Sequence, residues 1–346
     1  MWHVGIWRGQ QMEQNNQKPL IEIKHLLKYF NAKGKGQLHA VDDINFSIMP
    51  GETVGLVGES GCGKSTVGNL IMKLIPPTSG EVLFRGENIF TAKGKRNMEL
   101  RKKMQIVFQD PYSSLNPQKT VRTILAEPLK IHKLKKNEKE LMEAIEYYAG
   151  LVGLENYVLD QYPHELDGGR RQLVGIARSL ILSPEFIVCD EPVSSLDVSI
   201  QANIVNLLID LQKKFNLSYL FISHDLSVVR HISNRIAVMY LGQIVEIADA
   251  DTIFSDTLHP YSVALLTAVP KIDLEHKTKR IILKGDVPNP INPPQGCRFA
   301  SRCWMAKDVC KQKSPELQEV APGHCVACYF YKECEEFRLK NARQFQ

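Results

Sequence analysis

The sequence predicts an α/β fold, and three observations carry that reading. From residue 20 to about 250, short apolar runs alternate with amphipathic stretches, the pattern of strands and helices packed in layers. One apolar run leads straight into "GESGCGKST" (58–66) and then into a helical pattern, the strand–loop–helix setting of a phosphate-binding loop. Another, "FIVCDE" (186–191), ends in two adjacent acids.

Taken in order, "TVGLVG" (53–58), "FIVCD" (186–190) and "YLFIS" (219–223) are short, apolar and bounded by turn or polar residues. They read as buried strands of a parallel-type sheet. Between 138 and 152, Leu141, Ile145, Tyr148 and Val152 recur at spacings of four, three and four, which describes a helix with one apolar face. "VNLLIDLQKKF" (205–215) is another such helix. The stretch from about 115 to 180 is mostly helical by pattern and separates the phosphate loop from the acidic strand, so it reads as a helical subdomain. After 250 the character changes. "HPYSVALLTAVP" gives way to charged residues, to the proline-rich "GDVPNPINPPQG" and to a cysteine-rich tail; Pro293 and Pro294 suit a stiff linker. The chain divides into a flexible N-terminal extension over 1–19, a nucleotide domain over 20–250 and a C-terminal extension over 251–346.

Composition narrows the function. Lys and Arg number 43 against 38 Asp and Glu, a net charge of +5 spread without a dense basic tract, which argues against nucleic acid as a partner. No apolar run reaches the ~18 residues that read as a membrane span. The opening "MWHVGIWRGQQMEQNNQ" lacks the apolar core of a signal peptide and reads as a frayed extension. A cytosolic setting keeps thiols reduced, so the eight cysteines are expected as ligands or bystanders rather than disulfides.

The phosphate machinery follows from chemistry. Gly58, Gly61 and Gly63 let backbone N–H groups curl around phosphate oxygens, and the next helix adds its positive dipole end. Lys64 reaches toward the β- and γ-phosphates, and Ser65 is a Mg²⁺ ligand. Asp190 is placed to hold Mg²⁺, directly or through water, and Glu191 to polarise the attacking water. His224, at the end of "YLFISHD", is placed to touch the γ-phosphate; Gln109, in "IVFQDP", completes the Mg²⁺ and water site. Each has a bland counterpart: a glycine-rich turn with a chance lysine, a solvated strand end, a structural histidine. Their co-occurrence in one chain favours the chemistry.

In this order the residues resemble the nucleotide-binding subunits of ABC transporters, over about residues 20 to 250. The resemblance implies a RecA-like ABC ATPase core with a helical subdomain. It implies that Phe30 stacks on adenine, with Tyr29 as the fallback. Lys64, Ser65 and Thr66 match the phosphate loop, and Gln109 the Q-loop glutamine. Leu166 to Arg170, with Asp167, Gly168 and Gly169 among them, match the signature. Asp190 and Glu191 match the Walker B pair, Ser195 to Asp197 the D-loop and His224 the switch histidine. "QDPYSSLNP" and "DEPVSSLDVSIQA" are similar to the subfamily serving oligopeptide, dipeptide and nickel importers. Two such subunits pair head-to-tail with ATP between them, on the cytoplasmic face of a membrane permease, which an extracytoplasmic binding protein supplies with substrate. The expected function is an ATP hydrolase powering peptide import. The rivals are a mainly regulatory ATP-binding subunit, a nickel or other-solute importer, and a soluble ATPase acting on nucleic acid or ribosomes.

One departure stands out. The family's usual signature is LSGGQ, and this chain has "LDGGR" (166–170). A serine hydroxyl can donate to phosphate, whereas an ionised aspartate only accepts. At about 4 Å and an effective dielectric near 20, a carboxylate and one phosphate charge repel by roughly 4 kcal/mol. The alternatives are a weakened, asymmetric site, a working site in which Arg170 compensates, and an Asp167 turned away to cap its helix. The first implies a heterodimer with a second, similar subunit.

Six of the eight cysteines fall between Cys297 and Cys334. Cys297, Cys303, Cys310 and Cys328, with "GCRFASRCWMAKDVC" and "PGHCVAC", resemble the C-terminal extension of oligopeptide and dipeptide importer ATPases. In that family the corresponding cysteines can ligate a [4Fe–4S] cluster. On physical grounds four thiolates hold iron–sulfur or zinc, and free thiols remain an alternative. Cys325 and Cys334 read as spares, Cys62 and Cys189 as packing residues.

Overall fold

The computed structural model describes residues 18–32, 34, 36–268, 281–283, 285 and 288–341. Most of the expected N-terminal extension, 1–17, and the charged stretch before the proline-rich linker lie outside them. The strands are β1 (Ile21–Ala32), β2 (Gly36–Ile48), β3 (Thr53–Val57), β4 (Ser79–Phe84), β5 (Glu87–Asn88), β6 (Met104–Val107), β7 (Phe186–Asp190), β8 (Ser218–Ile222), β9 (Arg235–Tyr240), β10 (Gln243–Asp249), β11 (Gln318–Ala321) and β12 (His324–Val326).

The central sheet has the order β11-β12-β10-β9-β3-β8-β7-β6. Its run from β9 to β6 is parallel throughout. Every residue of β3, β7 and β8 is buried, because helices cover both faces of such a sheet. That is why these segments read as unbroken apolar runs. The three strands expected from the sequence are found with boundaries shifted by one residue at most.

A second sheet, in the order β2-β1-β4-β5, is antiparallel. The sequence reading did not anticipate it. Its strands bury one face only: Ile21 lies opposite Ile48 and Ile23 opposite Phe46, while the residues between face outward or are half-buried.

Helices Val121–Ile131, Glu138–Leu151 and Gly168–Leu180 make up most of the helical region. Thr120 and Asn137 cap the first two through their side chains, accepting from Thr123 N and Glu140 N. Leu141, Ile145 and Val152 are buried and Tyr148 is half-buried, so the apolar face lies where the spacing put it. The helix expected over 205–215 starts earlier, at Val198.

The C-terminal extension shares the central sheet. β12 pairs with β10, Glu246 opposite Val326 and Ile247 opposite Cys325. Glu246 is wholly buried at this seam. Its carboxylate accepts from Thr257 Oγ1 (2.8 Å), Leu258 N (2.6 Å), His259 N (3.1 Å) and His324 Nε2 (2.8 Å). Burial alone pushes a carboxyl up, but the hydrogen bonds, His324 first, outweigh it and hold Glu246 below the usual range. His259 is buried as a neutral ring, its pKa pushed down to about 4 by burial, with Nδ1 accepting from Tyr261 N (3.1 Å).

Glu246→Gln keeps the shape and loses the charge. We expect a loss of about 1.5–3 kcal/mol of stability at pH 7, the scale of hydrogen bonds to a charged group. A carboxylate with a depressed folded pKa stabilises above its unfolded pKa, and that contribution disappears as pH falls through the folded one. The difference in urea midpoint between wild type and variant therefore narrows below about pH 4.3, the unfolded value. A difference that is constant with pH would show that the charge is not what the seam uses.

Candidate functional site

The parallel strands deliver the candidate residues to one edge. The phosphate loop leaves the C-terminal end of β3, Glu191 follows β7, His224 lies just beyond β8 and Gln109 just beyond β6. Carboxyl ends of neighbouring parallel strands are where ligands bind in open α/β sheets. Phe30, Lys64, Ser65, Gln109, Glu191 and His224 line one cleft there, with Gly61, Gly63 and Thr66.

The loop requires its glycines. Gly58 and Gly63 have φ of 154° and 111°. A Cβ at either would lie 2.1 Å from a backbone oxygen, that of Met239 or of Ala40. Lys64 is buried, and its ammonium donates to Gly58 O (2.8 Å) and Glu59 O (3.2 Å), curled back on its own loop.

Ser65 Oγ donates to Asp190 Oδ1 at 2.9 Å. Burial pushes the Asp190 carboxyl up, with Glu191 adding to the rise and Ser65 opposing it. A buried carboxylate beside a second acid and a hydroxyl is a donor set that fits a hard cation. Gln109 Nε2 donates to Glu191 Oε2 at 3.0 Å, and His224 Nδ1 comes within 3.3 Å of the same oxygen. Glu191 itself has φ of 45°. That left-handed conformation costs a non-glycine residue about 1–3 kcal/mol and persists where function or packing over-determines it.

Phe30 is 39% exposed at the cleft mouth. Tyr29, the fallback, is engaged elsewhere: its hydroxyl donates to Asp42, and its ring stacks on His39 at 3.9 Å.

Comparison with known proteins decides the family. Residues 41–194 match the family described as ABC transporter, and 245–310 the one described as oligopeptide/dipeptide transporter, C-terminal region. The chain is 50% identical over 319 residues to the putative oligopeptide transport ATP-binding protein YkfD of Bacillus subtilis, covering 92% of this chain and 97% of that one. The chain belongs to the ABC transporter ATP-binding proteins. AppF of the same organism, an oligopeptide transport ATP-binding protein, is 48% identical, covering 92% of this chain and all of its own length. Among solved structures, the dimeric post-hydrolysis state of the ATP-binding cassette MJ0796 bound to ADP and Pi superposes with a TM-score of 0.62. It shares 28% identity and covers 66% of this chain and 98% of that one. CbiO1 from Clostridium perfringens gives a TM-score of 0.61 at 26% identity, covering 69% of this chain and 92% of its own.

Other ABC motifs lie away from the cleft. Asp167 caps helix Gly168–Leu180, accepting from Arg170 N at 2.8 Å, and its second oxygen takes the Arg170 guanidinium at 3.1 Å. Both side chains are about half exposed. Asp167 thus caps its helix, the third of the expected alternatives, and pairs with Arg170. Asp167, Gly169 and Arg170 border a separate groove beside helix Val198–Phe215. Gly168 sits against Leu196, and Asp197 stands at the start of helix Val198–Phe215.

The cysteines of this ABC protein are all free. Cys297, Cys303, Cys310 and Cys328 line one small cavity, with Phe299 and Phe330, and Cys297 N donates to Cys310 O at 2.7 Å. Burial raises Cys297, takes Cys303 to about 11 and Cys328 to about 12. Among the described residues, no group of three or more His, Cys, Asp or Glu is placed to hold a metal ion, and no helix is long and apolar enough to cross a membrane. Cys334 is buried and Cys325 lies on β12. Cys189 is fully buried as expected, whereas Cys62 is buried and also borders the nucleotide cleft.

Sequence reasoning missed His39 and Pro290, which border the cleft. Pro290 lies in the proline-rich linker and carries no motif; His39 N donates to its carbonyl at 3.1 Å.

Proposed function

We propose that this chain is the ATP-hydrolysing subunit of a peptide importer, peripheral on the cytoplasmic face of the membrane and docked on permease subunits. The observation that carries the reading is the convergence of Lys64, the Ser65–Asp190 pair and the Gln109–Glu191–His224 group on one strand edge. Lys64 leaves the Gly58 and Glu59 carbonyls to meet the phosphates. Ser65, Asp190 and Gln109 would hold Mg²⁺, which neutralises charge on the transferred phosphoryl group. Glu191 orients the water and takes its proton, while Gln109 and His224 fix its carboxylate. Phe30 stacks on the base. The oligopeptide transport names of YkfD and AppF supply the substrate class. The tagged chain should be recovered from detergent-solubilised membranes with polytopic permease subunits. Recovery only from the soluble fraction, or with ribosomes, would overturn the reading.

We infer a heterodimer with a second ATPase subunit that carries the usual serine. In a head-to-tail pair Asp167 faces the partner's nucleotide, so its effect belongs to the partner's site, and Gly168, Gly169 and Asp197 act there too. Because Arg170 already pairs with Asp167, Arg170→Gln alone should slow the partner's site. Restoring both residues, Asp167→Ser with Arg170→Gln, should remove the defect. A double-mutant cycle read as turnover at that site measures the coupling. Additive effects would mean that the pair does not act as a unit.

The four converging thiols are, we propose, ligands of a [4Fe–4S] cluster with a structural role. Four cysteines line one cavity, and a cluster takes four thiolates. Burial raises Cys297, Cys303 and Cys328, so loading displaces protons there. Protein purified without oxygen should be brown, with about four irons per chain. Zinc without iron would assign a zinc site instead.

A further inference from the structure

We propose that Arg302 and Tyr261 are positioning residues for nucleotide binding: the cysteine-bearing extension clasps the phosphate loop from behind, at Glu59. The proposal rests on the reading of the cleft as an ATP site.

Glu59 is the second residue of the loop, and four groups meet on it. Its amide donates to Tyr261 Oη at 2.9 Å. Its carboxylate takes the Arg302 guanidinium at 2.8 Å. Its carbonyl accepts from Lys64 Nζ at 3.2 Å and from Cys62 N at 3.3 Å. The residue that holds Lys64 is therefore itself held on two sides by side chains lying more than 200 positions along the chain.

Both clasp residues are fixed by packing. The Tyr261 ring lies 4.6 Å from that of Tyr240 and 5.4 Å from that of Phe299. The Arg302 side chain is only 9% exposed. The Tyr240 hydroxyl is buried beside the same guanidinium. A second hold lies alongside. Arg298 donates to Leu241 O and to Asp42, and Gly242, the next residue, donates its amide to Cys62 O at 2.8 Å. Arg298 and Arg302 are spaced within the Cys297–Cys303 loop, so one segment faces the cysteine cavity and the phosphate loop at once.

The chemistry gives the clasp its purpose. A loop that binds a triphosphate carries a carboxylate of its own, and that charge opposes the ligand. Arg302 neutralises it. Pinning the amide and the carboxylate also pre-organises the loop, so less ordering remains for the nucleotide to bring about.

The test is ATP·Mg²⁺ affinity of the full chain, with the melting temperature of the nucleotide-free protein measured in parallel. Arg302→Gln should weaken binding about five- to thirty-fold, the range of one charged contact, raising KM for ATP with kcat held. Arg302→Lys should recover most of the affinity. The Arg302→Gln/Glu59→Gln double variant should bind more tightly than Arg302→Gln alone, because the unpaired charge is gone. Tyr261→Phe, which removes one oxygen, should weaken binding a few-fold and serves if Arg302→Gln does not fold. Wild-type affinity in Arg302→Gln or Tyr261→Phe, or a double variant no tighter than Arg302→Gln, overturns the clasp while leaving the ATP site standing. If the wild-type chain binds no ATP, the reading of the site falls and the clasp with it.

Discussion

Glu191→Gln keeps ATP binding and lowers hydrolysis by about 10²- to 10⁴-fold, the contribution of a positioned general base. The expectation follows from placement. Asp190 is engaged by Ser65, which leaves Glu191 as the carboxylate facing the cleft with Gln109 and His224 on one of its oxygens. Glutamine preserves the shape and can still accept from Gln109, but it cannot take a proton. The phosphate loop is untouched, so affinity is kept. Single-turnover hydrolysis in the assembled transporter checks this, with nucleotide binding measured alongside. Hydrolysis at the wild-type rate would remove Glu191 from the role of base.

Lys64→Ala acts at the earlier step. The ammonium is buried and leans on two carbonyls of its own loop, from which it meets the incoming phosphates. Deleting one partner of a buried charge pair costs about 2–5 kcal/mol, or thirty-fold to several-thousand-fold in affinity. ATP titration should show that loss directly. The two variants separate binding from chemistry: one binds without turning over, the other fails to bind. A Lys64→Ala chain with normal affinity would mean that the nucleotide sits elsewhere.

Much of the cleft was legible because its chemistry is local. The loop from Gly58 to Thr66 announces itself by spacing. Gln109, Glu191 and His224 follow apolar runs, and a parallel sheet brings such strand ends together whatever lies between them. The antiparallel sheet was harder to read because β1 and β2 bury only alternate positions and contain polar residues that blur the pattern. Asp167 could not be settled from sequence: whether its carboxylate faces phosphate or its own helix amide depends on geometry, which shows the amide and Arg170. Tyr261, Pro290 and Arg302 carried no signal. Their partners lie far away in sequence, and no motif marks a tyrosine or an arginine as the back support of a distant loop. The cysteine spacing did point to one place, and those four side chains share a cavity.

The central claim, that ATP hydrolysis at this cleft powers peptide import, is tested most directly by peptide uptake. The complete transporter is reconstituted in vesicles with its binding protein and a labelled peptide. The account predicts uptake with ATP·Mg²⁺, none with a non-hydrolysable analogue, and uptake reduced to background when this chain alone carries Glu191→Gln. Uptake at the wild-type rate with the analogue, or with the Glu191→Gln chain, would contradict it.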